Sequence, residues 1–326
     1  MPACASRNLA LLAVAATALV GCSAAITKPA PPQAQRIAVS FDPKKLSGWS
    51  DLPPGCYRVP DSQVIISGHQ KGGAAGILFG VIGVMVQSSM NASAGHKATA
   101  GIEDSLHIDL TEAEQRITRE ALESSPLKDR YTLDADPAAS HLQVSSALVV
   151  TYVTDTDVRP YVVLKVTLNE PAAGHGQPAR QDVWDTRYIA SIGPPRAISG
   201  PGSWTEDNGR PLKDAAEASL RRAVKVMLAD IAQPYARDEQ KLTMVEGSFP
   251  FVKQRVQSVG YALAEDDQSL VFVPKLGSGI VFAGVNVLDK SEITYRPATK
   301  EDRKLKIVAG AKPDDAGAAA RHKHTS

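Results

Sequence analysis

The chain has 326 residues, of which 43% are hydrophobic and 22% charged, an ordinary globular composition. Its 36 basic and 35 acidic residues leave a formal charge of +1. That balance supplies no field for nucleic acid or for strongly acidic substrates, so nucleic-acid binding is not expected.

The first stretch that organises the rest is Leu19-Val20-Gly21-Cys22. It closes an apolar run from Leu9 to Val20 that follows a single basic residue, Arg7. A positive end, about a dozen apolar residues and a small residue before the cut predict a secretory signal, too short for a spanning helix. The motif resembles the lipobox of bacterial lipoproteins. The resemblance implies cleavage between Gly21 and Cys22 and acylation of Cys22, palmitate included. Ser23 in place of aspartate implies the outer membrane by the sorting rule of enteric lipoproteins. The expected partner is membrane lipid, held through acylated Cys22, on the periplasmic side of the cell envelope. Two or more acyl chains suffice for stable anchoring where one is marginal.

Removal of residues 1–21 leaves about 305 residues, enough for two domains or one large one with a satellite. Cys4 would leave with the signal and Cys22 would carry lipid, so Cys56 has no intramolecular partner. Burial or an intermolecular bridge are the two readings for it. Residues 22–35, with Pro29, Pro31 and Pro32, predict an extended tether. The alternation of Ile37, Val39 and Phe41 then predicts a first strand over Arg36 to Phe41. Cys56 to Val59 and Gln63 to Ser67, around Pro60-Asp61-Ser62, predict a short hairpin.

Residues 72–90 form a glycine-rich apolar insertion in which Gly72, Gly76 and Gly80 recur every fourth residue. On a helix they share one face, and each costs about 1 kcal/mol against alanine in water. Close backbone approach is the compensating use, so these three are candidates for helix packing or membrane contact. A buried core helix, a flexible apolar loop and a protein-contact face are the other readings.

Thr111-Glu112-Ala113-Glu114 predicts a capping box, and Ala113, Ile117, Ala121 and Leu122 an apolar helical stripe ending near Ser124, before Pro126. Three strands are expected next. His141 to Val153 has Leu142, Val144, Leu148, Val150 and Tyr152 on one parity. Tyr161 to Leu168 repeats the pattern, and Asp182 to Ser191 adds Trp184, Thr186, Tyr188 and Ala190. Thr154-Asp155-Thr156-Asp157 supplies a turn, and antiparallel pairing with one buried face is the simplest assembly. Pro211 opens the clearest helix, to about Ile231, with Leu212, Ala216, Leu220, Ala223, Val224, Met227, Leu228 and Ile231 at helical spacing. Glu217 stands four before Arg221, which favours an ion pair, and Arg221, Arg222 and Lys225 make a basic outer patch read as a solvated face.

Beyond Gln233-Pro234, short strands are expected over Gln257 to Leu263, Leu270 to Val273, Ile280 to Leu288, Glu292 to Tyr295 and Leu305 to Val308. The expected fold class is therefore α+β. Residues 36–235 form an antiparallel sheet packed by amphipathic helices, residues 236–309 a small all-β module, and 310–326 a disordered tail.

The seven histidines show no metal-ligand spacing, and the tail pair His322 and His324 reads as incidental. No Gly-x-Ser-x-Gly elbow, Walker loop or dinucleotide loop appears, and Gly277-Ser278-Gly279 lacks a third glycine and a following helix. Asp155-Thr156-Asp157 and Asp134-Ala135-Asp136 read as turn residues, since neither has the glycine and distal glutamate of a calcium loop. No cofactor, metal or catalytic residue is expected. The strand order, long helix and glycine-rich insertion distantly resemble the periplasmic α/β domain of the curli-secretion lipoprotein, in architecture alone. The expected function is a non-enzymatic envelope lipoprotein that binds, scaffolds or assembles, with an envelope partner or copies of itself. The alternatives are an envelope-polymer hydrolase and a homo-oligomeric membrane-inserting assembly through the glycine face.

Overall fold

The structure is a computed structural model that describes residues 36–41, 46, 49, 52–53, 56–68, 93, 95–97, 99–133, 139–171, 180–276 and 280–308. The signal, the tether, the glycine-rich insertion, Asp134-Ala135-Asp136, Gly277-Ser278-Gly279 and the C-terminal tail lie outside the described residues.

The centre of the molecule is the pair β5 (Ser140–Tyr152) and β6 (Asp157–Glu170), matched antiparallel from Tyr152 against Val158 to His141 against Asn169. Val153 donates to the Asp157 carbonyl, and the Thr154 hydroxyl accepts from the amides of Thr156 and Asp157, closing the expected turn. Strand β7 (Arg180–Ser191) continues antiparallel on β6. On the other flank, β1 (Ile37–Phe41) and β3 (Val64–Ser67) both run parallel to β5. The first takes its N-terminal half and the second its C-terminal half. Strand β2 (Tyr57–Arg58) pairs antiparallel with β3 as the expected hairpin, and β4 (Tyr131–Thr132) lies parallel to β1. The sheet is thus mixed rather than antiparallel. Strands joined through long connections pair in parallel because the chain between them can cross back over the sheet.

A two-residue strand, β8 (Arg196–Ala197), pairs with the start of β6. The strands of residues 236–308 extend the same sheet. They are β9 (Leu242–Gly247), β10 (Val256–Glu265), β11 (Ser269–Pro274), β12 (Val285–Asp289), β13 (Thr294–Pro297) and β14 (Leu305–Ile307). Strands β9 to β12 form an antiparallel meander, β13 returns to pair with β9 and β14 with β10, and β12 lies parallel to β7 through Tyr188, Ile189 and Ala190. Strand β9 was not expected: Leu242-Thr243-Met244-Val245 is too short to show periodicity. Strand β12 begins only at Val285, not at Ile280. Gly284 turns the chain there with φ +136 and backs onto the Arg187 carbonyl, where a Cβ would lie 2.4 Å from the oxygen. Ile280, Val281 and Phe282 instead fold into a buried turn.

Two helices cover one face of the sheet. Helix α1 (Thr111–Glu123) buries Ala113, Ile117 and Leu122 as its stripe predicts. The capping box does not form. Thr111 is the first helical residue, Leu110 holds the N-cap position without a side-chain cap bond, and the Thr111 amide donates to Asp109 Oδ1 at 3.0 Å, which satisfies one of the free amides of the first turn. Helix α2 (Glu206–Ala232) has non-helical backbone at Asp207, Asn208 and Gly209, so its regular part opens beside Pro211, as expected. All eight residues of its apolar stripe are at most 4% exposed. Glu217 and Arg221 find partners on α1 rather than each other: Arg116 to Glu217 at 2.9 Å and Arg221 to Glu120 at 2.7 Å. The charges that periodicity places on one outer face therefore stitch two helices together.

The expectation of a single buried face is also corrected. The even-numbered residues of β5 and β6 pack under α1 and α2. The odd-numbered Ala147, Val149, Tyr161 and Val163 are buried under a second cover that includes Trp49, Phe249, Phe251 and Phe282. Phe249 stacks on Phe282 with ring centroids 4.4 Å apart. Non-regular segments make that cover, and such segments carry no period to read.

Candidate functional site

Gly21, Cys22, Gly72, Gly76 and Gly80 lie outside the described residues. Cys56 is partly buried beside the β2–β3 hairpin, and desolvation pushes its thiol up to about 12, which suppresses the reactive thiolate. Among the described residues no group of three or more His, Cys, Asp and Glu side chains is placed to hold a metal ion.

One histidine does sit in a cluster that no motif announces. His96 Nδ1 lies 2.9 Å from the Glu103 carboxylate and 3.1 Å from the Tyr57 hydroxyl, and the rings of Tyr57 and His96 are 5.3 Å apart. Burial, then the Glu103 charge, holds the Tyr57 phenol above its ordinary range. The contacts fasten the segment after the glycine-rich insertion to the β2–β3 hairpin. Gly95 completes the fit, since a Cβ there would come 2.8 Å from Tyr57 Cβ.

A groove of about 200 Å³, partly open to solvent, lies between α2 and the β10–β11 hairpin. Helical spacing puts Arg222, Val226 and Ala229 along one flank of α2, with Lys225 beside them. Val271 and Val287 rise from β11 and β12 to complete an apolar floor, and Tyr235 stands at the end where the chain leaves α2. The opposite wall is the turn Glu265-Asp266-Asp267, expected from sequence as a turn and nothing more.

The two walls differ in what they have left to offer. Asp266 Oδ1 accepts from the amides of Gln268 and Ser269 and from the Ser269 hydroxyl. Those bonds, the Ser269 amide first, hold its carboxyl below the usual range. Glu265 Oε1 accepts from Lys290 Nζ at 2.6 Å and from the Tyr295 hydroxyl at 2.7 Å, and is likewise held low, chiefly by Lys290. Both acids are occupied in pinning the turn. On the α2 wall, Arg222 donates to the Ser191 carbonyl, and Lys225, which makes no hydrogen bond among the described residues, helps by its charge to hold the Asp266 carboxyl low. The Arg221, Arg222 and Lys225 patch is thereby divided: Arg221 serves the α1 contact and the other two face the groove.

Beneath Tyr235 lies a buried acid. Asp230 Oδ2 accepts from the Tyr188 hydroxyl at 2.8 Å and Oδ1 from the Tyr235 amide at 3.2 Å. An acid in the last turn of a helix opposes the helix dipole and needs such donors. This arrangement anchors the end of α2 and the chain after it to β7, and so sets the groove's far end.

Ser269 contacts a carboxylate, but Asp266 is too weak a base, with its pKa pushed down, to activate that hydroxyl. The basic wall was legible in the sequence as a helical patch. Its partner was not, because 40 to 46 residues separate Lys225 from Glu265, Asp266 and Val271, and no local pattern encodes that pairing. No protein-family model matches the chain, and no curated protein matches it.

Proposed function

We propose that the chain is a lipid-anchored lipoprotein of the bacterial outer membrane, facing the periplasm, whose body acts as a non-enzymatic binding or scaffold component of the cell envelope. The observation that carries this is the segment Leu19-Val20-Gly21-Cys22 at the end of a short apolar run, followed at once by a Pro-rich tether. In this reading acylated Cys22 holds the protein on the membrane. The α+β body stands off on residues 22–35, with 236–309 as its β-rich module, and meets its partner through surfaces such as the groove beside α2. The polar clusters of the body support a binding role, because their hydrogen bonds pin turns, helix ends and connecting segments.

The test is the intact mass of the protein from membrane extracts, with Cys22→Ala alongside. The expected result is a mass that begins at Cys22 plus two or three acyl chains, and a C22A variant whose mass carries no acyl chain. A wild-type mass equal to the unmodified 326-residue chain would sink the proposal.

A further inference from the structure

We infer that Asn208-Gly209, at the entry to α2, is a self-modification site that the fold holds silent. The pair closes to a cyclic imide and becomes isoaspartate only in molecules whose α2 entry has opened, and the product then keeps that entry from re-forming.

The reactive pair is set by sequence. Asn208 is the one asparagine in the chain that is followed by glycine. With no side chain on that glycine, its nitrogen meets no steric bar on the way to the Asn208 side chain. Having given up its proton to hydroxide, the Gly209 nitrogen attacks Asn208 Cγ and a C–N bond forms. The side-chain nitrogen takes a proton back from water and leaves as ammonia. Water then opens the imide at either carbonyl, to aspartate or to isoaspartate, with no change of oxidation state.

The structure opposes this step in three ways. Asp207, Asn208 and Gly209 all hold left-handed backbone, with φ of 49, 56 and 79. Asn208 has ψ 39, whereas ring closure needs its Cβ and the Gly209 nitrogen nearly eclipsed about the bond from Cα to the carbonyl carbon. The Gly209 amide also donates to the Thr205 carbonyl at 3.3 Å, which keeps its proton in place. Gly209 is moreover buried against the short helical turn Glu103–Leu106. A Cβ there would lie 2.1 Å from the Ser105 carbonyl oxygen, so packing resists the rotation that closure requires. Asn208 itself is exposed, so water and hydroxide reach it and conformation alone restrains it.

Opening of a helix end takes less free energy than global unfolding, so the restraint is released locally. Isoaspartate then routes the main chain through the former side chain. That adds a carbon to the backbone before Gly209 and sets a carboxylate beside Glu206 and Asp207. Gly209 can no longer seat on Ser105, and the opening of α2 is recorded irreversibly.

The experiment incubates the full chain in mild detergent at pH 8, folded or in denaturing urea, and follows residue 208 by peptide mass and isoaspartyl methyltransferase labelling. Conversion is expected to be at least about tenfold slower in the folded chain. Chains returned from urea before conversion should regain the wild-type urea midpoint, and converted chains should unfold at lower urea or fail to refold. Asn208→Gly, which accepts positive φ and cannot form the imide, should refold fully after the same incubation. Equal rates in folded and unfolded chains, no conversion in urea, an unchanged midpoint in converted chains, or an equal loss in N208G each overturns the inference. None of these outcomes depends on the mass at Cys22, so this inference and the anchoring proposal fail separately.

Discussion

At the scale of single residues, Asp230 shows how a buried acid is made tolerable. It is 7% exposed and sits one turn from the C-terminus of α2, where the helix field disfavours a negative charge. The hydroxyl of Tyr188 and the amide of Tyr235 supply donors, and the nearby Arg237 guanidinium supplies opposite charge. Removing one donor leaves a carboxylate oxygen desolvated and unpaired, so Tyr188→Phe is expected to destabilise the fold by about 1–3 kcal/mol. A urea titration followed by circular dichroism measures it, and an unchanged midpoint would mean that Asp230 finds another donor. None of this was legible beforehand. Tyr188 was read correctly as an inward-facing strand residue, but its hydroxyl partner lies 42 positions away on a helix. Likewise no local pattern joins His96 to Tyr57 and Glu103, which only the packing of the hairpin on the following segment brings together.

At the scale of elements, period decides most of what is seen. The helical spacing of Leu212 to Ile231 and the alternation along β5, β6 and β7 are satisfied almost position by position, because each follows from backbone geometry and one covered face. Misses occur where backbone rather than side chains sets the outcome. Strand β12 starts late because Gly284 turns the chain, and the capping box fails because helical geometry begins one residue earlier than the motif implied, which puts Leu110 rather than Thr111 at the N-cap. Strand β10 supplies the test at this scale. A Cβ on Gly260 would lie 2.1 Å from the Val273 carbonyl oxygen and 2.8 Å from Pro274 Cα, both main-chain atoms of the neighbouring strand. Gly260→Ala must therefore push β10 and β11 apart, at a cost of about 1–3 kcal/mol. Thermal unfolding of G260A is expected to show a lowered Tm; a wild-type Tm would contradict the register of that pair.

At the scale of the whole molecule, the buried tyrosines couple stability to pH. Burial pushes Tyr131, Tyr152 and Tyr261 up to about 12 and also raises Tyr161 and Tyr188. In the unfolded chain a tyrosine titrates near pH 10. Above that pH the folded protein retains protons that the unfolded chain has released, so stability is fully present below about pH 10 and falls as pH rises through about 12. The urea midpoint should be level from pH 8 to 9 and drop steeply by pH 11; a level midpoint at pH 11 would refute the assignment. A second expectation concerns cooperativity. Residues 236–308 join the first sheet through the parallel pairing of β12 with β7, and Trp49, Trp184 and Trp204 all lie in the earlier part. Tryptophan fluorescence and far-ultraviolet circular dichroism are expected to report one coincident transition. Two separated transitions would show that residues 236–308 unfold independently.

By itself the sequence determined the lipobox-like segment, the two amphipathic helices and the inward parity of the central strands, since each is a pattern of near neighbours. Tertiary structure alone decided the parallel placement of β1, β3 and β12, the second buried face and the groove that sets Lys225 opposite Asp266. Those depend on which distant segments share main-chain hydrogen bonds and packing, and a period of 2 or 3.6 residues specifies a face without specifying its partner.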